Sequence, residues 1–116
     1  MKDFYSEFTL NGKKYLLAFD LNVMEAIQAE YKTIENWSKL TNGDTTGEGD
    51  AKAILFGFTE MLNEGIEIMN EQIGTDEKPL TKKQVGRILT QYGMENTAAK
   101  LAETITRSSK DEEKNV

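Results

Sequence analysis

The side chains in this sequence that could do chemistry are carboxylates and lysines, and the partners they lack decide most of the reading. The chain has no cysteine and no histidine. That excludes disulfides, thiolate zinc sites and cysteine nucleophiles, together with the commonest metal ligand and the commonest general base. Glu60, Glu64, Glu67 and Glu71 recur along one stretch, with Glu60 and Glu64, and again Glu67 and Glu71, at the i,i+4 spacing that shares a helix face. Di-metal carboxylate bundles use such helices but combine glutamate with histidine. Without histidine the row reads as a solvated helix face. Asp44-Thr-Thr-Gly-Glu-Gly-Asp50 superficially resembles a calcium loop. A frame opened at Asp44 puts Gly49 correctly at the sixth position but Leu55 at the twelfth, where a bidentate glutamate is needed. No Gly-rich phosphate loop, serine nucleophile elbow or Ser-x-x-Lys motif is present. The expectation is a chain with no catalytic residue, no metal ligand and no cofactor, and hence no enzyme.

Lys82, Lys83 and Arg87 stand on a predicted helix that Gly93 separates from another, so residues 81–107 resemble a helix-turn-helix. Gln91, Glu95 and Asn96 give that segment no basic support. The whole chain carries a net charge of −6 with a pI near 4.7. An acidic surface repels phosphates, so nucleic acid is not an expected partner and a structural helix pair is the better reading. No apolar run approaches the ~18–20 residues of a membrane span, and Met1-Lys2-Asp3-Phe4 opens no apolar signal stretch. The expected setting is a reducing cytoplasm, with no membrane partner.

The elements that must position these groups are well marked over 116 residues, a length that fits one domain. Residues 4–19 read as a β-hairpin turning at Asn11-Gly12, a dipeptide suited to two positions of positive φ. With that turn, Leu10 pairs with Lys13 and Phe8 with Tyr15. Alternation places Phe4, Phe8, Leu10, Tyr15, Leu17 and Phe19 on one face, and an aromatic face of this kind must pack on something. Helices fill residues 22–107. Asn22 with Glu25 fits a capping box for the first, and Thr33 caps a short second helix with Ile34, Trp37 and Leu40 on one stripe. Residues 41–50, with three glycines and no large apolar residue, read as a flexible loop.

Asp50 caps the longest helix, roughly 51–73, where Ile54, Phe58, Met61, Leu62, Gly65, Ile66, Met69 and Ile73 recur at helical spacing. Leu55, Phe56 and Ile68 widen that stripe, which suggests more than one packing neighbour. Gly74 stops it. Thr81 and Gln84 form a capping box for the next helix, with Val85, Ile88, Leu89 and Tyr92 as its apolar face, and Gly93 ends it. A last helix spans about 95–107, and 108–116 reads as a disordered tail. The expected fold is therefore α+β: one domain over 1–107, a hairpin packed on about five helices. Methionines pack cores and also line adaptable binding grooves. The residues taken first as protein-binding candidates are Phe56, Met61, Ile68 and Met69.

Two segments carry a family resemblance. Phe8-Thr-Leu-Asn-Gly-Lys-Lys-Tyr-Leu-Leu-Ala-Phe-Asp-Leu-Asn22 resembles the opening of tail assembly chaperones from long-tailed, siphovirus-type phages and prophages of Gram-positive bacteria. That opening is a hairpin followed by an aromatic-Asp-aliphatic-Asn step into a helix. Leu80-Thr-Lys-Lys-Gln-Val-Gly-Arg-Ile-Leu89 is similar to the family's later Leu-Thr-x-x-x-Val-Gly helix start. In layout the likeness covers residues 4–107. It implies a protein that binds the hydrophobic tape-measure protein, helps recruit tail-tube subunits, associates with itself, works in the host bacterial cytoplasm and is absent from the mature virion. It also implies a longer product made by ribosomal frameshifting. Glu113-Lys114-Asn115 is compatible with the slippery heptamer A-AAA-AAC. The family has no active site to carry over. The alternative is a small phage or mobile-element DNA-binding regulator using residues 81–107.

Overall fold

The computed structural model describes the backbone of residues 5–44 and 47–114 and the side chains of 5–44 and 47–106. Phe4, Thr45, Thr46, Asn115 and Val116 lie outside the described residues. So do the predicted place of Phe4 on the hairpin and parts of the calcium-like loop and the tail.

Strands β1 (Tyr5–Leu10) and β2 (Lys13–Ala18) form an antiparallel hairpin. Asn11 (φ 52°) and Gly12 (φ 81°) make the turn, and Phe8 pairs with Tyr15 and Leu10 with Lys13, as the dipeptide predicts. The aromatic face is core. Phe8 stacks on Tyr15 at 5.1 Å and on Tyr92 at 4.3 Å, while Leu17 and Phe19 are buried. Ser6 shares this face and is buried too. Its hydroxyl meets Thr104 Oγ1 at 2.6 Å, and since Thr104 donates to the Lys100 carbonyl, Ser6 is the donor. Leu17 and Ala18 point to opposite faces, yet both are fully buried, so the end of β2 is covered on both sides.

Five helices follow: α1 (Leu21–Tyr31), α2 (Ile34–Asn42), α3 (Ala51–Ile73), α4 (Lys82–Tyr92) and α5 (Met94–Lys114). The architecture is α+β, a two-stranded hairpin packed on a helical body. Local capping explains most of the boundaries. Thr33 accepts from Asn36 N–H, Asp50 accepts from Ala53 N–H, and Thr81 and Gln84 form the reciprocal capping box at 2.8 and 3.1 Å. The opening of α1 differs from the Asn22/Glu25 reading. Asp20, two residues earlier and in extended backbone, caps it by accepting from Val23 N–H, and Asn22 turns outward to Glu64.

The connection predicted over 41–50 begins later than its composition suggests. Helix α2 runs on to Asn42 and ends at Gly43 in the left-handed region (φ 82°). The described part of the connection is tied back by Gly47 N–H to the Gly43 carbonyl and by Asp50 N–H to the Leu40 carbonyl, at 2.8 and 2.9 Å.

Along α3 the predicted stripe is core over Ile54, Phe58, Met61 and Leu62. Ile73 departs from it at 64% exposure, because the chain reverses at Gly74 and no further turn covers the helix end. Trp37 fits into a notch at Gly57, where any Cβ would run into the indole, and its Nε1 donates to the Ala53 carbonyl at 2.9 Å. Finally, α5 stays helical to Lys114, where the sequence reading ends the helix near 107 and expects an unstructured tail. No glycine or proline follows Gly93 to stop it, and lysine and glutamate are good helix formers. No described helix is long and apolar enough to cross a membrane.

Candidate functional site

A concavity lies between the hairpin and the C-terminal half of α3, and three features of the sequence make it. The first is Gly65. With no side chain there, α3 sits against the Leu16 main chain of β2, where a Cβ would meet the carbonyl oxygen. The second is a pair of asparagines two helical turns apart on α3. The Asn63 amide donates to the Leu80 carbonyl at 3.0 Å and accepts from Leu80 N–H at 2.7 Å. Asn70 does the same for Glu77, at 3.0 and 3.1 Å, and also accepts from Thr75 Oγ1 at 2.6 Å. Each amide gives the returning linker both bonds that a neighbouring strand would give it. Residues 75–80 are thereby laid along α3. The third is an ion pair between Lys13 on the hairpin and Glu77 on the linker, at 3.1 Å, with both side chains about half exposed.

These walls enclose a cleft of about 190 Å³. Leu16, Leu62, Ile66, Met69 and Leu80 supply its apolar surface, and Glu7, Lys13, Lys14 and Glu77 its charged lining. The charges are matched in pairs, Lys13 with Glu77 and Lys14 with Glu7, and the Lys13 ammonium also stands 5.4 Å from the centroid of the Tyr15 ring. An apolar cavity of about 150 Å³ holds a benzene molecule, so this one has room for a single large apolar side chain. Nothing in its lining forms a nucleophile–base pair.

The carboxylates behave differently from one another. Glu64 faces Asp20 and accepts from Asn22 Nδ2 at 2.9 Å. A hydrogen bond shared with Asp20, followed by partial burial, pushes the Glu64 pKa up to about 7, with Asn22 pulling the other way. Glu67 and Glu71 are exposed, and no group of carboxylates among the described residues could hold a metal ion. In the calcium-like segment, the Asp50 carboxylate is engaged as the cap of α3.

The four predicted binding residues do not converge. Met61 is fully buried and belongs to the core, a correction to its reading as a binding residue: it stands in the middle of the stripe that the other elements cover. Met69 lines the cleft. Phe56 is half-buried against the edge of Tyr31, beside a shallow depression with Lys52, Thr59, Glu60 and Lys82. Ile68 is half-buried. At the helical rise of ~1.5 Å per residue, Phe56 and Ile68 stand about 18 Å apart along α3. Sequence reasoning missed Asn63, Asn70 and Leu16, and it placed Gly65 on the helix stripe without its role against β2. One signal for the asparagines was present: Asn is a poor helix former, and two of them seven residues apart inside an apolar helix have work other than helix formation. The helix pair that offered the alternative DNA-binding reading is joined by Gly93 alone, shorter than the 3–4-residue turn of a helix-turn-helix.

No protein-family model, no curated protein and no solved structure matches the chain.

Proposed function

We propose that this protein is a non-catalytic chaperone that holds apolar stretches of another protein, of the kind that assembles long phage tails. Its client is the tape-measure protein, with tail-tube subunits as the second partner and self-association as part of its action. In this reading it works in the host bacterial cytoplasm, stays out of the mature virion and has a longer frameshifted form. One observation carries the reading: the two segments with the family resemblance meet at one apolar cleft. Residues 8–22 contribute Lys13, Lys14, Tyr15 and Leu16, and residues 80–89 contribute Leu80. Matched charges around an apolar floor suit an apolar side chain, and the acidic surface keeps a complex with a sticky client in solution.

The test is co-expression with a tape-measure protein. The soluble yield of the client should rise with this chain and fall back with Met69→Lys, which sets an ammonium against the apolar floor. Equal client yields with and without the chain would overturn the proposal.

A further inference from the structure

A second apolar surface runs along α5. Met94, Ala98, Leu101, Ala102 and Ile105 follow the i, i+4, i+7, i+8, i+11 pattern of one helix face, and Ile54 of α3 joins them. Leu101 and Ile54 form the buried floor, at 4% and 5% exposure, whereas Met94 is 61% exposed. The facing wall is Thr41 at the end of α2 with Gly47 and Gly49 of the described connection to α3, which is held by the bonds from Gly47 N–H to the Gly43 carbonyl and from Asp50 N–H to the Leu40 carbonyl. The groove between them measures about 610 Å³. From Met94 to Ile105 the helix rises about 17 Å, matching three turns of a helix laid alongside. Ala98 and Ala102 are exposed and carry no side chain beyond Cβ, so such a helix can approach closely.

The charge of the groove selects its occupant. Among the described residues its charged lining is Glu48 and Glu95, both acidic, in a chain of net charge −6. The basic helix of a second copy of this chain is not free to serve as that occupant. That helix, α4, with Lys82, Lys83 and Arg87, already buries its apolar side, Val85 at 0% and Leu89 at 4% exposure, in its own core.

We propose that this groove receives one amphipathic helix of a different protein, apolar on its inner face and edged with lysine or arginine, by the helix-in-groove mode. The site is distinct from the cleft at the hairpin, and the proposal rests on the reading of the chain as a protein binder.

The probe is a synthetic amphipathic leucine–lysine peptide of about 18 residues, titrated calorimetrically into the full chain. A leucine–glutamate peptide with the same apolar pattern serves as its counterpart. The lysine peptide should bind and the glutamate peptide should not. Ala102→Trp fills the groove without changing charge and should weaken binding by at least about tenfold. Ala29→Trp, on the exposed side of α1, should leave it unchanged. Glu95→Lys should weaken binding several-fold, most strongly at low salt. Circular dichroism checks that each variant folds, and Ala98→Gln replaces Ala102→Trp if that one does not. Equal binding of the two peptides, or equal binding by the Ala102→Trp and Ala29→Trp proteins, overturns the proposal. Peptide binding that persists while the client yield in co-expression stays flat refutes the chaperone reading and leaves the groove standing. The reverse pattern refutes the groove alone.

Discussion

At the scale of single residues, polar groups define this molecule more sharply than its apolar ones. Glu64 is the clearest case. Its carboxyl is raised from 4.5 to about 7 by the hydrogen bond with Asp20 and by partial burial. A carboxyl raised on folding favours the native state while it is protonated. That contribution is whole below pH 4.5, declines as the unfolded chain ionises first, and is gone once pH passes about 7. Solvent reaches this half-buried position, so the effect is a fraction of what the shift alone implies. Glu64→Gln cannot ionise. It should melt higher than the parent at about pH 8 and close to it at about pH 5. Thermal melts across that range check this, and two parallel profiles would contradict it. The row of glutamates was legible in the sequence as a helix face. The special state of Glu64 was not, because it arises from Asp20 and Asn22, more than 40 positions away by sequence number.

At the scale of elements, the two asparagine clamps decide whether the cleft has a wall. The Leu80 bonds to Asn63 are partly buried, and the Glu77 bonds to Asn70 are exposed. Asn63→Ala leaves the Leu80 N–H and carbonyl without their partner and should cost about 1–3 kcal/mol. Asn70→Ala, where water replaces the amide, should cost less than about 1 kcal/mol. Urea denaturation measures both, and amide exchange at Leu80 should quicken in Asn63→Ala. An unchanged urea midpoint with unchanged Leu80 exchange would show that the clamp holds nothing. Helix starts were legible because a cap acts over three residues: Thr33, Asp50 and Thr81 each bond the N–H three positions on. The start of α1 was misassigned because Asp20 and Asn22 both suit the role, and only the third dimension shows that Asn22 is drawn off to α3. The clamps were not legible, since each joins α3 to a linker whose path no local rule dictates.

At the scale of the whole molecule, one small core presents two apolar concavities, a cleft at the hairpin and a groove along α5. The α+β architecture, the hairpin register and the order of the helices follow from turn chemistry and periodicity. The concavities do not, because each is assembled from distant segments: Leu16, Ile66 and Leu80 for one, Ile54 and Leu101 for the other. Periodicity marks Met61 and Met69 alike as apolar, and only packing separates the buried one from the one that lines a surface. The central claim is that the cleft contacts an apolar client. Site-specific photo-crosslinking tests it most directly: a benzophenone side chain placed at Met69, and for comparison at the exposed Glu25 of α1, in cells co-expressing the tape-measure protein. Crosslinks to the client from position 69 and none from position 25 are the predicted result. Client crosslinks of equal yield from both positions, or none from position 69, would contradict the account.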